Sequence, residues 1–498
     1  MRVAGPERES PSAATADSTG HPASPSRRDR GTWIWLVIAA AFGIYVWVSL
    51  LVFRNYLFGN DLAIFDQVVR HYAHLHAPIA DVLAPGANAL GEHFSPILAS
   101  LAPMYWLWPD PRMLLVAQAA LVAMSIWPVW DFSRRRIGAR PALVVAVAYA
   151  LCWEIQALII FDVHEVAFAV PLIAVAVNAL DQRQDRALLA ACLGLLLVRE
   201  DMGLFLVFVA LVLAVRRRFA LAAVLAVVGL AAFGLLTLLV VPAFAWDSSF
   251  HFWTFSSLGP DPKSALVTAL RRPWEVVQTL VTPSLKLNTL AWLVVPTMFL
   301  SLASVYALLA VPFVAEQLLN SRQQLWGPKL HYWAVLAPIV MMAAVDTLGR
   351  AYTHVRRPDW LRRFWLSWIS LAIVAGSLLA PSVYSFLFVL LPNVAFQGSA
   401  SAVLDRAITM VPAGTCVEAD NRALPHLSPG DRTFVLGGSE GRASWVLIDR
   451  SRPGDILRVD PQIYAATLIR FGWRVESKEG TLLVLRRPVA ASDECGNS

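Results

Sequence analysis

The sequence predicts an all-α polytopic membrane protein that ends in a small extracytoplasmic α/β domain. Three observations carry that prediction. Of 498 residues, 57% are hydrophobic and only 15% charged, against roughly 25% charged in soluble domains, and the mean hydropathy is +0.57. The arginines stand in short clusters between apolar runs, as they do in cytoplasmic membrane loops. After Leu391 the long apolar runs give way to short β-patterned segments. The net charge of +6 therefore reflects loop placement and not a nucleic-acid partner. Cys152, Cys192, Cys416 and Cys495 have neither zinc-site nor redox spacing.

Residues 1–32 are rich in Pro, Ser, Ala and charge. They cannot bury enough apolar area to offset chain entropy and are expected to be a disordered cytoplasmic tail. The run Trp33 to Phe53 is long enough to span. With no small-residue cleavage site behind it, it reads as an uncleaved anchor. Arg27, Arg28 and Arg30 before it place the N-terminus in the cytoplasm. The first external loop, 54–112, then carries two polar groups, Gly59-Asn60-Asp61 through Asp66-Gln67 and Gly91-Glu92-His93-Phe94-Ser95-Pro96. Asp61 suits an N-cap for a helix starting near Leu62; Asp66 would converge with it only if the chain bends. The run Phe94 to Trp108 is too short to span, stops at Pro109-Asp110-Pro111, and is expected along the interface.

Four basic clusters order the rest: Arg134 to Arg136 with Arg140; Arg183 and Arg186; Arg216 to Arg218; and Arg350 with Arg356, Arg357, Arg362 and Arg363. If all are cytoplasmic, the chain between consecutive clusters crosses an even number of times. Arg140 to Arg183 then forms a hairpin with its outer tip at Phe161-Asp162-Val163-His164-Glu165. Leu188 to Val215 forms another, with arms of about thirteen residues reaching roughly 20 Å. Its tip, Arg199-Glu200-Asp201, stays at membrane depth, where charge is tolerated only inside protein or a wet cavity.

Phe219 to Val241 runs outward into an external segment reaching about Asn288, with Trp246, Trp253 and Trp274 as interface aromatics. Its Arg271-Arg272 pair fits this side poorly. Leu290 to about Gln317 makes a short hairpin, Tyr332 to Leu348 runs inward and Phe364 to Leu391 outward. The total is about eleven transmembrane helices within residues 33–391.

Residues 392–498 form the outer domain. Its expected strands include Thr433 to Leu436, Trp445 to Ile448 and Leu482 to Leu485, and a helix lies near Tyr464 to Phe471. Cys416 and Cys495 either pair there or leave Cys495 free in a frayed tail.

This topology gathers Asp61, Asp66, Glu92, His93, Asp162, His164, Glu165, Arg199, Glu200, Asp201, Lys329 and His331 at one membrane face. Singly each has a structural explanation; together, ionisable groups at membrane depth mark a pathway or site. Carboxylates can act as general base toward a hydroxyl or hold a hard divalent cation such as Mg or Mn. Arg, Lys and His can grip a phosphate leaving group. That combination suits group transfer from a membrane-borne phosphate donor. No phosphate loop or dinucleotide fingerprint occurs. His71, His74 and His76 are spaced like metal ligands, but interface histidines explain them better.

The runs Asp61-Leu62-Ala63-Ile64-Phe65-Asp66-Gln67 and Gly91-Glu92-His93-Phe94-Ser95-Pro96-Ile97-Leu98 resemble the bacterial membrane family called domain of unknown function 2079. His164-Glu165 with Pro171, Arg199-Glu200-Asp201, His331-Tyr332 before Pro338, and Asn421 to Ser428 resemble it too, over roughly residues 55 to 490. More distantly, the layout is similar to the C superfamily of integral-membrane glycosyltransferases. That likeness implies polyprenyl-phosphate sugar donors, a membrane-lipid partner and action in the cell envelope, at the outer face of the cytoplasmic membrane. It makes Asp61 the base-like residue, Asp66 an assisting carboxylate and Asp162 the acid of the second external loop. Glu92, His93, His164, Glu165, Arg199, Glu200, Asp201, Lys329 and His331 become substrate-binding candidates. The chain lacks the adjacent Asp-Glu pair of protein mannosyltransferases and the Trp-Trp-Asp signature of oligosaccharyltransferases. The rival readings are a transporter or lipid flippase, since short interrupted hairpins also build transporter sites, and a non-catalytic envelope assembly protein.

Overall fold

An apolar helix, α1 (Asp29–Arg54), opens the described part of the chain. The computed structural model describes residues 29–246, 253–354, 385–395, 398–451 and 459–488. Residues 1–28 of the expected disordered tail and most of the expected span Phe364 to Leu391 lie outside them, while residues 29–32, also expected in the tail, are the first turn of α1.

The loop after α1 holds α2 (Asp61–Ala73) and the short α3 (Ala102–Leu107). Next come α4 (Pro111–Met124) and α5 (Ile126–Ile137), which together make one apolar length from Pro111 to Ile137. α6 (Ala139–Ala150) and α7 (Trp153–Ile160) follow with a 41° bend between them. Then α8 (Val166–Gln182), α9 (Asp185–Leu196), α10 (Met202–Val215) and α11 (Phe219–Leu235) pass back and forth. α11 continues through a π-helical turn into α12 (Val241–Phe244). The segment after α12 holds α13 (Pro262–Arg271), α14 (Pro273–Val281) and α15 (Ser284–Val294). α16 (Val311–Leu319) and α17 (Leu336–His354) return to the bundle.

The expectation of about eleven spans is corrected. Among the described residues four helices are long and apolar enough to cross, Gly31–Arg54, Pro111–Ile137, Phe219–Phe244 and His331–Tyr352, or five if the bent α6–α7 pair counts as one. Charge parity requires returns of the chain, but it does not fix their lengths. α8 and α10 are apolar yet only 17 and 14 residues long.

The bundle nevertheless has two chemically distinct ends. At one, Arg134 and Arg135 pair with Asp131, and Arg136 bridges Asp181 and, at 2.6 Å, Asp346. The Tyr306 hydroxyl donates to Asp181 at 2.9 Å, and Arg216 donates to the same hydroxyl at 2.6 Å. This network ties α5, α8, α10 and α17 together. The far ends of α8, α10 and α17 lead to the 161–165 turn, the 197–201 turn and His331. α10 and α11 approach backbone to backbone: a Cβ on Gly203 or Gly229 would lie 2.5 Å from the carbonyl oxygen of the other. Only small residues permit such close helix packing.

The C-terminal sheet has strands β1 (Cys416–Ala419), β2 (Arg432–Val435), β3 (Trp445–Asp449), β4 (Arg474–Glu479) and β5 (Leu482–Arg486). Their order is β2-β1-β3-β5-β4. β2, β1 and β3 run parallel, and β5 is antiparallel to β3 and β4. The sheet docks on the first loop: Gln67 donates to the Thr433 hydroxyl at 3.0 Å and Arg432 pairs with Asp81 at 2.6 Å. His426 stacks on Phe53 and Tyr56 with centroids 4.0 and 3.9 Å away. Cys416 is disulfide-bonded; Cys495 lies outside the described residues.

Candidate functional site

The site begins at the N-terminus of α2, where the first backbone N–H groups need acceptors. Asn60 stands at the cap but gives no side-chain bond. The Asp162 carboxylate serves instead, accepting from Gly59 N–H at 2.7 and 3.0 Å and from Asp61 N–H at 3.1 Å. The expectation that Asp61 is the cap is therefore corrected. Asp61 is the first helical residue, and its carboxylate faces His164, with Nε2 3.0 Å from Oδ2. Asp162 is buried; that burial, and then the Asp61 charge, push its carboxyl up to about 7.

A row of alternating charges continues inward. His164 Nδ1 lies 3.6 Å from Glu165, and Glu165 lies 3.7 Å from Arg199. Arg199 donates through Nε to Asp201 at 2.7 Å and reaches Glu316 at 3.3 Å. The Asp61 side chain is 30% exposed, His164 14%, Arg199 8% and Glu165 4%, so Asp61 is the accessible end. Burial disfavours the His164 imidazolium, but Asp61 and Glu165 outweigh it and hold the ring at about 10. Burial likewise opposes ionisation of Glu165, yet His164 and Arg199 keep it at about 2. His331 stacks on His164 with centroids 3.5 Å apart and rings 18° from parallel, and Phe161 stacks on His331 at 5.1 Å. The buried Nδ1 of His331 has no hydrogen-bond partner among the described residues.

The second polar group of the first loop joins from the side. His93 Nδ1 lies 2.8 Å from Glu200, whose other oxygen accepts from Phe94 N–H at 3.0 Å. Ile97 N–H donates to the Leu197 carbonyl at 3.0 Å, tying the loop to the α9–α10 turn. Desolvation in the partly covered loop disfavours the His93 imidazolium, but the adjacent Glu200 charge outweighs it and raises the ring to about 9. Glu92 is pushed up by burial and further by Asp61 and Glu165, with His93 opposing.

Ten of the twelve expected residues thus fall in this neighbourhood. Two stand apart. Asp66 is fully buried, accepting from the Tyr105 hydroxyl at 2.7 Å and from Arg70 at 3.1 Å. Five residues along a helix is about 140° around it, and the chain does not bend to bring Asp66 back. Lys329 is exposed and makes no ion pair among the described residues. Glu316, outside the expected set, joins through Arg199; its signal in the sequence was a lone acid inside an apolar helix. A separate small pocket lies between α7, α15 and α17, with Glu154 in its lining.

The donor set does not fit a divalent cation. Asp61, Glu165, Asp201 and Glu200 each face a basic side chain, and Asp162 faces backbone N–H groups. Among the described residues no His, Cys, Asp or Glu group has metal-holding geometry, the His71, His74 and His76 rings included.

The family model described as predicted membrane protein (DUF2079) matches residues 55–477. No curated protein matches the chain. Among solved structures it is similar to ArnT from Cupriavidus metallidurans bound to undecaprenyl phosphate, with a TM-score of 0.53 and 13% identity over 92% of this chain and 98% of ArnT. ArnT in the apo state gives 0.52 at 13% identity over the same shares. The oligosaccharyltransferase AglB from Archaeoglobus fulgidus, solved with an inhibitory peptide and a dolichol-phosphate, gives 0.44 at 14% identity over 85% of this chain and 70% of AglB. The likeness to ArnT is one of fold.

Proposed function

The chain belongs to the DUF2079 family of predicted membrane proteins, and from that premise we propose that it transfers a sugar from a polyprenyl-phosphate donor to a hydroxyl acceptor at the membrane face where the cluster lies. One observation carries the reading: Asp61 is the accessible terminus of a charge row assembled from separate segments. The undecaprenyl phosphate bound to ArnT supports the donor class.

In this mechanism the Asp61 carboxylate takes the acceptor hydroxyl proton as the oxygen attacks the anomeric carbon. The bond from that carbon to the phosphate oxygen breaks, and the phosphate leaves with the electron pair. His164, oriented by Glu165, holds the Asp61 carboxylate by a charge-assisted hydrogen bond. Arg199 is saturated by Asp201, Glu165 and Glu316, so it positions Glu165 and does not grip substrate. His93, paired with Glu200 and with its side chain 44% exposed, is the cation of the set that can reach the leaving phosphate. A flippase or transporter would need a passage through the arginine end, where Arg136 bridges Asp181 and Asp346.

The test is complementation. Cells lacking the protein receive wild type or Asp61→Asn, and their envelope glycans and glycolipids are compared by mass spectrometry at matched amounts of folded protein. Wild type should restore the pattern and Asp61→Asn should fail. Full restoration by Asp61→Asn removes Asp61 from the chemistry and favours a non-catalytic role.

A further inference from the structure

The external segment contains an arginine pair on a side where basic residues are unexpected, and the site makes no use of it. Arg271 ends α13 and Arg272 begins the turn into α14. Both are exposed; Arg272 has only an exposed pairing with Glu275 at 3.1 Å, and Arg271 and exposed Lys263 make no ion pair among the described residues.

The two helices share a second property. On α13, Leu266 and Leu270 are 61% and 74% exposed, while Ala265 faces the protein. On α14, Trp274, Val277 and Val281 are exposed, while Val276 and Leu280 turn inward and no residue is fully buried. Spacings of four, and of three then four, each trace one side of a helix. Each helix therefore turns an apolar stripe away from the protein, with an indole in it and cations at its edges. Leaving that area in water is unfavourable by the usual apolar-surface relation, and such stripes on external segments mark an interaction surface.

The position of the helices identifies what covers them. The apolar length Phe219–Phe244 delivers the chain to the cluster side, where Gly91 sits so close to the Phe244 carbonyl that a Cβ there would overlap it. α13 begins after that exit, at Pro262, and α14 follows it. An amphipathic helix with Leu and Trp on its apolar side and Lys and Arg beside it lies in the plane of a membrane interface. We infer that α13 and α14 form a docking platform for acidic phospholipids in the leaflet on the cluster side: Leu266, Leu270, Trp274 and Val277 enter the acyl boundary, and Lys263, Arg271 and Arg272 hold headgroup phosphates. α14 also packs against α16, which carries Glu316, so the leaflet supports the wall that holds Arg199.

The experiment uses the full chain in nanodiscs of phosphatidylcholine, alone or mixed with phosphatidylglycerol. An environment-sensitive fluorophore is placed on Leu270→Cys or, as a water-facing reference, on Ile463→Cys, whose parent side chain is 68% exposed. Cys152 and Cys192 are buried and Cys416 is disulfide-bonded; the parent protein taken through the same labelling sets the background. Doxyl-labelled lipid should quench the label at 270 and not at 463, and more strongly with phosphatidylglycerol. Each cation at an acidic surface strengthens attraction about fivefold. The triple variant Lys263→Gln, Arg271→Gln, Arg272→Gln should therefore lower the docked-to-undocked ratio by roughly a hundredfold and bring quenching down to the phosphatidylcholine level. A label at 270 as unquenched as the one at 463 overturns the inference. A label shielded from water yet unquenched also overturns it, because protein would then cover the face. Equal quenching in both lipid compositions overturns the headgroup assignment.

Discussion

The His164 imidazolium sets a measurable alkaline limit on the folded state. Its ring titrates near 10 in the fold and near 6.5 in an unfolded chain. Between those values the folded state keeps a proton that the unfolded state releases. Stability therefore falls as pH rises, at about 1.4 kcal/mol per unit for this group. The contribution is complete below about 6.5 and lost on passing about 10. The 3.5 units between the two values set a ceiling of about 5 kcal/mol. His164→Asn removes the titration while leaving a side chain that can still donate to Asp61. Wild type and variant would be unfolded chemically in detergent micelles from pH 6 to 11, with tryptophan fluorescence as the readout. The difference between them cancels the lysines and tyrosines that also titrate there. It should be largest near neutrality and shrink steadily toward pH 10. A difference that stays constant, or grows with pH, would show that Asp61 and Glu165 do not hold the ring protonated.

Other substitutions separate structural carboxylates from the site. Asp66→Asn takes the charge from the buried pair with Arg70 and Tyr105, so thermal stability should drop by about 3 kcal/mol while glycan restoration per folded molecule stays intact. Arg136→Gln removes the cation that Asp181 and Asp346 share and leaves them to Arg135 and Arg350; unfolding should show a loss of about 1.5–3 kcal/mol. Gly203→Leu forces α10 off Gly229 and should cost at least about 1–3 kcal/mol, read as a lower melting temperature. Asp162→Ala strands the N–H groups of Gly59 and Asp61, for a loss of about 2 kcal/mol.

Much of the site could be read from the chain because charge placement is a long-range signal. The arginine clusters set the returns of the chain, and the returns put the 161–165 and 199–201 tips beside the first loop. What stayed hidden depends on short-range geometry. Whether Asp61 or Asp162 caps α2 is decided by a turn that no local pattern encodes. Asp66 looked like a partner for Asp61, but Arg70 one turn later and Tyr105 from α3 claim it. The span count failed because hairpins of 12- and 14-residue helices satisfy the same charge parity as full crossings. In the C-terminal domain the apolar strands β2, β3 and β5 were legible. β1 is only four residues long, and β4, with the sequence Arg-Val-Glu-Ser-Lys-Glu, is a largely exposed edge without the usual alternation.

The first turn of α2 is completed by Asp162, 101 positions after Asp61, and the ring stacked on His164 belongs to His331. During synthesis α2 therefore leaves the ribosome with its leading amides unsatisfied, and they stay so until two further hairpin arms have been threaded. The ring that covers His164 arrives later still. A chain interrupted before residue 331 holds the row from Asp61 to Glu316 but leaves His164 without its stacking partner, so the arrangement proposed here is complete only once nearly all of the bundle is in the lipid.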